Sequence, residues 1–209
     1  MLTLRRLLCN HSSMAQVLPM VKMLEEKEII EGCCRHERKA QKALYGRYAA
    51  MLLGVCVRYS GRRDEAEDIL QDGLIKIYFN IGDFAGKGSF VNWMRKIMVN
   101  TAITHYHRNL KHHYHQDIED IRETDIEGSG FDTADFTSEE LFSIIKELPR
   151  GYRMVFNLYA VEGYKHKEIA DLLKVDVNTS KSQYSRAKSL IRTKLLALKK
   201  IAEKVNGQA

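Results

Sequence analysis

Apolar residues recur at intervals of three and four positions through most of the chain between Pro19 and Pro149, and the strict alternation that indicates β-strands is absent. This pattern predicts three helices in the first half of the chain, over about 38–59, 64–80 and 89–108. The glycine-rich stretch "GDFAGKG" separates the second helix from the third. Each helix carries one apolar stripe, which it is expected to bury.

The last third of the chain shows four further helical segments. They are "SEELFSIIKEL", which ends at Pro149, then "RGYRMVFNLYAVEG", "KHKEIADLLKV" and a stretch that begins near Thr179. The predicted fold class is therefore all-α, with two small helical domains.

An acidic stretch separates the two sets of helices. Between positions 116 and 140 there are ten acidic residues and one basic residue, Arg122, with "EGSG" in the middle. Such a composition predicts a flexible linker between two basic domains. The predicted organisation is an N-terminal extension at 1–27, a helical domain at 28–113, the linker at 114–136 and a second helical domain at 137–203.

Charge and cysteine content narrow the class of protein. The formal net charge is +6, which is compatible with an anionic partner without requiring one. The four cysteines form no C-x-x-C pair, so we expect neither a disulfide framework nor a zinc site, and a reducing cytoplasm is the expected location. The sequence lacks a run of about 20 apolar residues, so membrane insertion is not expected.

Two short helices joined by a tight turn near Lys174 form the pattern of a helix-turn-helix, whose second helix enters the DNA major groove. Lys181, Ser182, Ser185 and Arg186 fall on adjacent turns of one face of that second helix, and such side chains bind base edges and phosphates. Lys174 stands where such turns usually carry glycine. A solvated basic face is the alternative interpretation.

A second polar face lies on the helix at 89–108. Asn92, Lys96, Asn100 and His107 share it at 100° per residue, opposite the apolar stripe. Amides, a cation and nearby aromatic rings are typical of proteins that bind single-stranded bases. The aromatic residues of this block are equally compatible with a position in the core.

The stretch "HYHRNLKHHYH" raises the alternative of a metal site. Its histidines are His105, His107, His112, His113 and His115. No H-E-x-x-H motif, carboxylate or cysteine accompanies them at a familiar spacing, and the interleaved basic residues would repel a cation. No metal, cofactor or catalytic residue is therefore expected, and the chain is not expected to be an enzyme.

Two blocks resemble a known family. "DEAEDILQDGLIKIYFNI" followed by "GSFVNWMRKIMVNTAITHYHRN" is similar to region 2 of the sigma-70 family, and "LPRGYRMVFNLYAVEGYKHKEIADLLKVDVNTSKSQYSRAKSLI" is similar to region 4. The two-domain form with an acidic linker resembles the extracytoplasmic-function (ECF) group. The resemblance implies a sigma factor that binds core RNA polymerase and directs it to promoters.

The resemblance also implies roles for individual residues. Contacts with the clamp helices of the largest polymerase subunit fall on Asp64, Asp68, Gln71 and Asp72, although acids of a helix N-terminus and a solvated face would look the same. Contacts with the single-stranded −10 element fall on Phe84, Ser89, Phe90, Arg95, Lys96, Asn100, His105, Tyr106 and Arg108. Contacts with the −35 duplex fall on Thr179, Lys181, Ser182, Ser185, Arg186 and Lys188, with Lys165 and Lys167 placed for phosphates.

The implied partners are core RNA polymerase, through its clamp helices and its flap, promoter DNA in double- and single-stranded form, and an anti-sigma factor. The rival hypothesis is a conventional helix-turn-helix regulator that does not replace the specificity subunit of the polymerase. That hypothesis leaves the block at 84–108 without a role.

Overall fold

The computed structural model describes residues 24–110 and 136–206. These two stretches contain eight α-helices and no β-strand, so the all-α prediction is confirmed. In chain order the helices are α1 (Glu26–Cys34), α2 (Arg38–Ser60), α3 (Arg63–Asn80), α4 (Phe90–Leu110), α5 (Ser138–Lys146), α6 (Arg150–Phe156), α7 (His166–Leu173) and α8 (Val177–Asn206). A 3₁₀ turn at Ile81–Asp83 follows α3, and a π-helical turn at Asn157–Val161 follows α6.

The N-terminal domain consists of α1 to α4, and α2, α3 and α4 follow the predicted helices closely. Their apolar stripes form a common core in which Leu44, Leu74 and Met94 are fully buried. Gly73 of α3 lies directly against the side chain of Met98, so a Cβ at this position would collide with α4. A glycine here allows the two helices to approach closely.

Helix α1 is an element that the sequence analysis did not predict. The carboxylate of Glu28 accepts a hydrogen bond from the backbone N–H of Glu25 at 2.8 Å, which stabilises the start of the helix. Ile29 and Cys33 are buried against the rest of the domain. Most of the predicted extension at 1–27 lies outside the described residues.

The C-terminal domain consists of α5 to α8. Helix α5 begins with a capping box, in which Thr137 accepts from the backbone N–H of Glu140 and the Glu140 carboxylate accepts from that of Thr137. Between α7 and α8, Lys174 adopts the left-handed conformation with φ of 55°, as the turn requires where glycine is usual. Helices α7 and α8 thus form the predicted helix-turn-helix.

The two domains pack against each other. Met154, Val155, Leu158, Ile169 and Leu173 of the C-terminal domain are buried in the same apolar cluster as the core of α2, α3 and α4. We call this packing the closed arrangement. The predicted linker at 114–136 lies outside the described residues except for its last position.

Candidate nucleic-acid interface

One face of α8 carries a row of exposed polar and basic side chains. Ala187 and Ile191, on the opposite side of the helix, are 0% and 7% exposed, which fixes the orientation of the row. Its members are Lys181, Ser182, Ser185, Arg186 and Lys188, with Thr179 partly buried at its start. Lys165 and Lys167, at the beginning of α7, are also exposed. This combination suits a helix in the major groove with phosphate contacts beside it.

A polar pair of one buried and one partly exposed residue joins α8 to α7. Ser180 is fully buried, and its Oγ lies 3.0 Å from Nδ1 of His166. The rings of Tyr159 and His166 stack with centroids 4.4 Å apart, and Tyr184 lies 4.4 Å from Tyr159. Burial and the nearby Lys181 ammonium lower the pKa of His166 below its ordinary value, because both disfavour the charged imidazole. Sequence patterns did not reveal this pair.

The second candidate face lies on α4. Asn92, Lys96 and Asn100 are exposed along it, with Ser89 at its start and Arg108 near its end, while Arg95 is one-third exposed. The Oγ of Ser89 accepts from the backbone N–H of Asn92 at 3.3 Å, as expected of a residue that caps the helix. The sequence-predicted amides and cations are therefore brought together on one surface.

The aromatic members of the predicted −10 set lie behind that surface. Phe90 is 1% exposed and stacks on Trp93 with ring centroids 5.7 Å apart, and Phe84 is partly buried against both rings. His105 and Tyr106 are 3% and 6% exposed. In this conformation these side chains support the face from within, and their direct contact with DNA stays a prediction.

The polar side of α3 carries the residues predicted to bind polymerase. Asp64 and Asp68 are exposed, and Gln71 and Asp72 are partly buried. Arg62 lies 2.5 Å from Asp64 and holds the pKa of that carboxyl below its usual range through a hydrogen bond. All four side chains lie off the buried stripe of α3, as a docking surface requires.

Sequence reasoning missed a group of polar residues at the boundary between the domains. Arg153 and Asn157 are 7% and 0% exposed, and both donate to backbone carbonyls of α2. Arg150 pairs with Glu65, and Asn109 donates to the same carboxylate at 2.7 Å. Because the principal acceptors are main-chain atoms, a side-chain pattern contains no direct signal for them.

A cleft of about 360 Å³ lies at this boundary. Asn92, Arg95 and Lys96 of α4 line one side, and Val161, Glu162 and Tyr164 line the other. The candidate strand-binding face of α4 therefore forms one wall of the cleft.

The described part of the chain holds no group of three or more potential metal ligands. His112, His113 and His115 lie outside it. No helix within the described ranges is long and apolar enough to cross a membrane.

Two family models match the chain and together span more than half of it. The model "Sigma-70 region 2" matches residues 44–111, and "Sigma-70, region 4" matches residues 138–191. The first covers most of α2 and all of α3 and α4, and the second covers α5 through the first half of α8.

The matches to two curated relatives extend over nearly the whole length of those proteins. The ECF RNA polymerase sigma-E factor of Haemophilus influenzae is 28% identical over 86% of this chain and 100% of that protein. The RNA polymerase sigma-H factor of Pseudomonas aeruginosa is 27% identical over 82% of this chain and 94% of that protein. The solved sigma factor RpoE of Bartonella quintana, in complex with the anti-sigma factor NepR, is 20% identical over 74% of this chain and 95% of that chain, with a TM-score of 0.43.

Fold and surfaces together define a two-domain helical transcription protein with a helix-turn-helix. With both regions matched in order, the chain belongs to the sigma-70 family of RNA polymerase sigma factors, in its ECF group. It is a sigma factor that directs promoter-specific transcription initiation, with core RNA polymerase and promoter DNA as partners.

Proposed function

We propose that the two faces divide promoter recognition between them. Helix α8 reads the −35 duplex with the row from Thr179 to Lys188, and α4 holds the −10 strand with Arg95, Lys96 and Asn100. The observation that carries this proposal is the presence, on one chain, of an exposed basic row on a recognition helix and an exposed row of amides and cations on α4. Each row suits one form of DNA.

Polymerase binding is proposed for α3. Asp64 and Asp68 present carboxylates to solvent, and Gln71 and Asp72 extend the same polar side, which suits the clamp helices of the largest polymerase subunit. The C-terminal domain is proposed to contact the flap. The chain itself catalyses no step, since RNA synthesis belongs to the polymerase, and it acts in the cytoplasm, where the polymerase and the chromosome are.

An anti-sigma factor is proposed as a further partner, as the resemblance of the sequence implies. The proposed domain limits are 28–113 and 137–203, joined by a linker at 114–136. The helices α2 to α4 and α5 to α8 support these limits.

Run-off transcription tests the proposal. Core RNA polymerase is mixed with the protein and fragmented DNA of the source organism. Transcripts that depend on the protein and share a −35 and a −10 element are expected. Lys181→Ala, at an exposed position of α8, should reduce these transcripts while leaving binding to core polymerase unchanged. A protein that binds duplex DNA but not core polymerase would instead be a conventional helix-turn-helix regulator.

A further inference from the structure

One buried guanidinium hydrogen-bonds to both domains in the closed arrangement. Arg153 of α6 donates to the carbonyls of Tyr59 and Ser60 at 3.2 and 2.8 Å, at the end of α2. It also donates to the carbonyls of Lys146 and Leu148 at 2.8 and 2.9 Å, at the end of α5. A cation is favourable at the carboxyl end of a helix dipole, and here a single cation serves two helices from the two domains.

Asn157 and Gly61 also take part in the contact between the C-terminal domain and the end of α2. Asn157 donates from Nδ2 to the carbonyl of Arg58 at 2.9 Å, so a second side chain of the C-terminal domain satisfies the end of α2. Gly61, with φ of 73°, follows α2, and a Cβ there would lie 2.5 Å from an Arg153 guanidinium nitrogen. The carbonyls at the end of α2 are thus satisfied by the other domain.

This contact places a carboxylate against the strand-binding face. Glu162, directly after the π-helical turn, lies with Oε1 3.4 Å from Nη2 of Arg95. The hydroxyl of Tyr59 donates to the same oxygen at 3.4 Å. The side chains of Arg95 and Glu162 are 33% and 15% exposed, so the pair is partly shielded from water. A carboxylate therefore lies beside the guanidinium of Arg95, one of the residues proposed to hold the −10 strand.

The closed arrangement affects the two DNA faces unequally. The row on α8 remains exposed, whereas Arg95 on α4 is covered by Glu162. Nε2 of His107 on α4 lies 2.9 Å from the carbonyl oxygen of Leu172 on α7, so the two DNA-reading domains are in direct contact.

We propose that Glu162 acts as an intramolecular substitute for a DNA phosphate at Arg95, held there by the Arg153 contact. Single-stranded −10 DNA and the closed arrangement then compete for the same cation, while duplex DNA still reaches α8. This inference deepens the proposed function, because it rests on the assignment of α4 to the strand. Promoter opening therefore requires the C-terminal domain to leave α4.

The first test measures binding of the full chain to DNA without polymerase. The probes are a fluorescein-labelled single-stranded oligonucleotide and a labelled duplex, both of mixed sequence. Glu162→Gln keeps the shape of the side chain and removes its charge. An ion pair of this exposure corresponds to roughly a two- to five-fold effect, so affinity for the single strand should rise by about that factor. Affinity for the duplex should change much less.

The matched control is Glu139→Gln. Glu139 is an exposed acid in the first turn of α5, so its substitution removes the same charge from the same domain. Equal gains for Glu139→Gln and Glu162→Gln would reduce the effect to net charge and overturn the proposal. Equal gains on the single strand and the duplex would overturn it as well.

The second test measures closure without DNA. Glu162→Arg places two cations together and should increase the radius of gyration in small-angle X-ray scattering. Adding Arg95→Glu restores an opposite-charge pair and should return the radius to the wild-type value. An unchanged radius in the single variant, or no return in the double variant, overturns the proposal. Circular dichroism confirms that each variant is folded.

The results of these two tests can be distinguished from a failure of the proposed function, which is measured by transcription with core polymerase. A wild-type chain that supports no transcription with core polymerase would remove the sigma-factor assignment of α4 and α8. The scattering result would still decide whether like charges at positions 162 and 95 open the closed arrangement.

Discussion

The imidazole of His105 lies between two charged residues, with Nε2 at 2.8 Å from a carboxylate oxygen of Asp72. Nη2 of Arg108 lies 2.8 Å from Nδ1 and 3.3 Å from Nε2 of the same ring. A guanidinium can only donate and a carboxylate can only accept, so a neutral ring with its hydrogen on Nε2 satisfies both partners. The buried ring therefore connects the predicted polymerase-binding side of α3 with a predicted DNA-binding residue at the end of α4.

Asp72→Asn distinguishes the structural role of the Asp72 carboxylate, which is its hydrogen bond with His105, from its predicted role in binding polymerase. The amide oxygen of asparagine can still accept from Nε2 of His105, so the free energy of unfolding should change by less than about 0.5 kcal/mol. The lost charge should weaken binding to core polymerase several-fold, measured by competition with a labelled wild-type chain. Asp83→Asn, at an exposed position after α3, is the control and should have no effect on either quantity. Unchanged polymerase binding in Asp72→Asn would contradict its assignment to the docking surface.

Gly61→Ala tests the contact between the end of α2 and Arg153. Alanine at positive φ costs about 1–2 kcal/mol in any protein, and here its Cβ would also displace the guanidinium. Gly86→Ala is the matched control, because Gly86 has φ of 67° and open space around its Cβ position. We expect Gly61→Ala to lower the free energy of unfolding by at least about 1 kcal/mol more than Gly86→Ala, measured by urea denaturation. If the two variants lose the same free energy of unfolding, the Arg153 guanidinium moves aside without a cost in stability, which contradicts the prediction.

The helices with long apolar stripes could be predicted from the sequence. Leu44, Leu52 and Leu74 recur at helical spacing, and each proves to be fully buried. Lys181 and Asn100 could be placed on exposed faces for the same reason, since a residue opposite a buried stripe must face outward. Helix α1 escaped prediction because it is only nine residues long, so that the spacing of its buried Ile29 and Cys33 is not repeated.

The contact between the domains could not be predicted in this way. Arg153 lies in a helix where a charged residue would ordinarily face water, and it is buried because four main-chain carbonyls surround it. Main-chain carbonyls are present in every sequence, so they leave no pattern to read. Glu162 similarly gains its position from the π-helical turn before it, an irregularity that helical periodicity does not reveal.

The contact between His166 and Ser180 predicts a pH dependence of stability. The pKa of His166 is lowered in the folded chain, so the unfolded chain takes up a proton first as the pH falls. Stability is therefore fully present above the ordinary histidine pKa of about 6.5 and is lost as the pH falls below it towards the lowered pKa of the folded chain. Thermal unfolding across this range should show a smaller loss in His166→Gln than in the wild type.

A loss of melting temperature with falling pH that is as large in His166→Gln as in the wild type would contradict the role of His166.

Lys165 and Lys167 are predicted to bind phosphates of the −35 duplex rather than base edges. Removing one phosphate contact lowers the slope of log K against log salt by about one, and it weakens binding to all sequences alike. Lys165→Ala and Lys167→Ala should each show this behaviour in binding titrations with a −35 duplex from 50 to 200 mM salt. Lys181→Ala should instead reduce the preference for the −35 sequence over a scrambled duplex.

Lys39→Ala, exposed on α2, should leave slope and preference unchanged. A loss of sequence preference in Lys165→Ala would place α7 in the groove with α8, because a phosphate contact alone cannot distinguish bases.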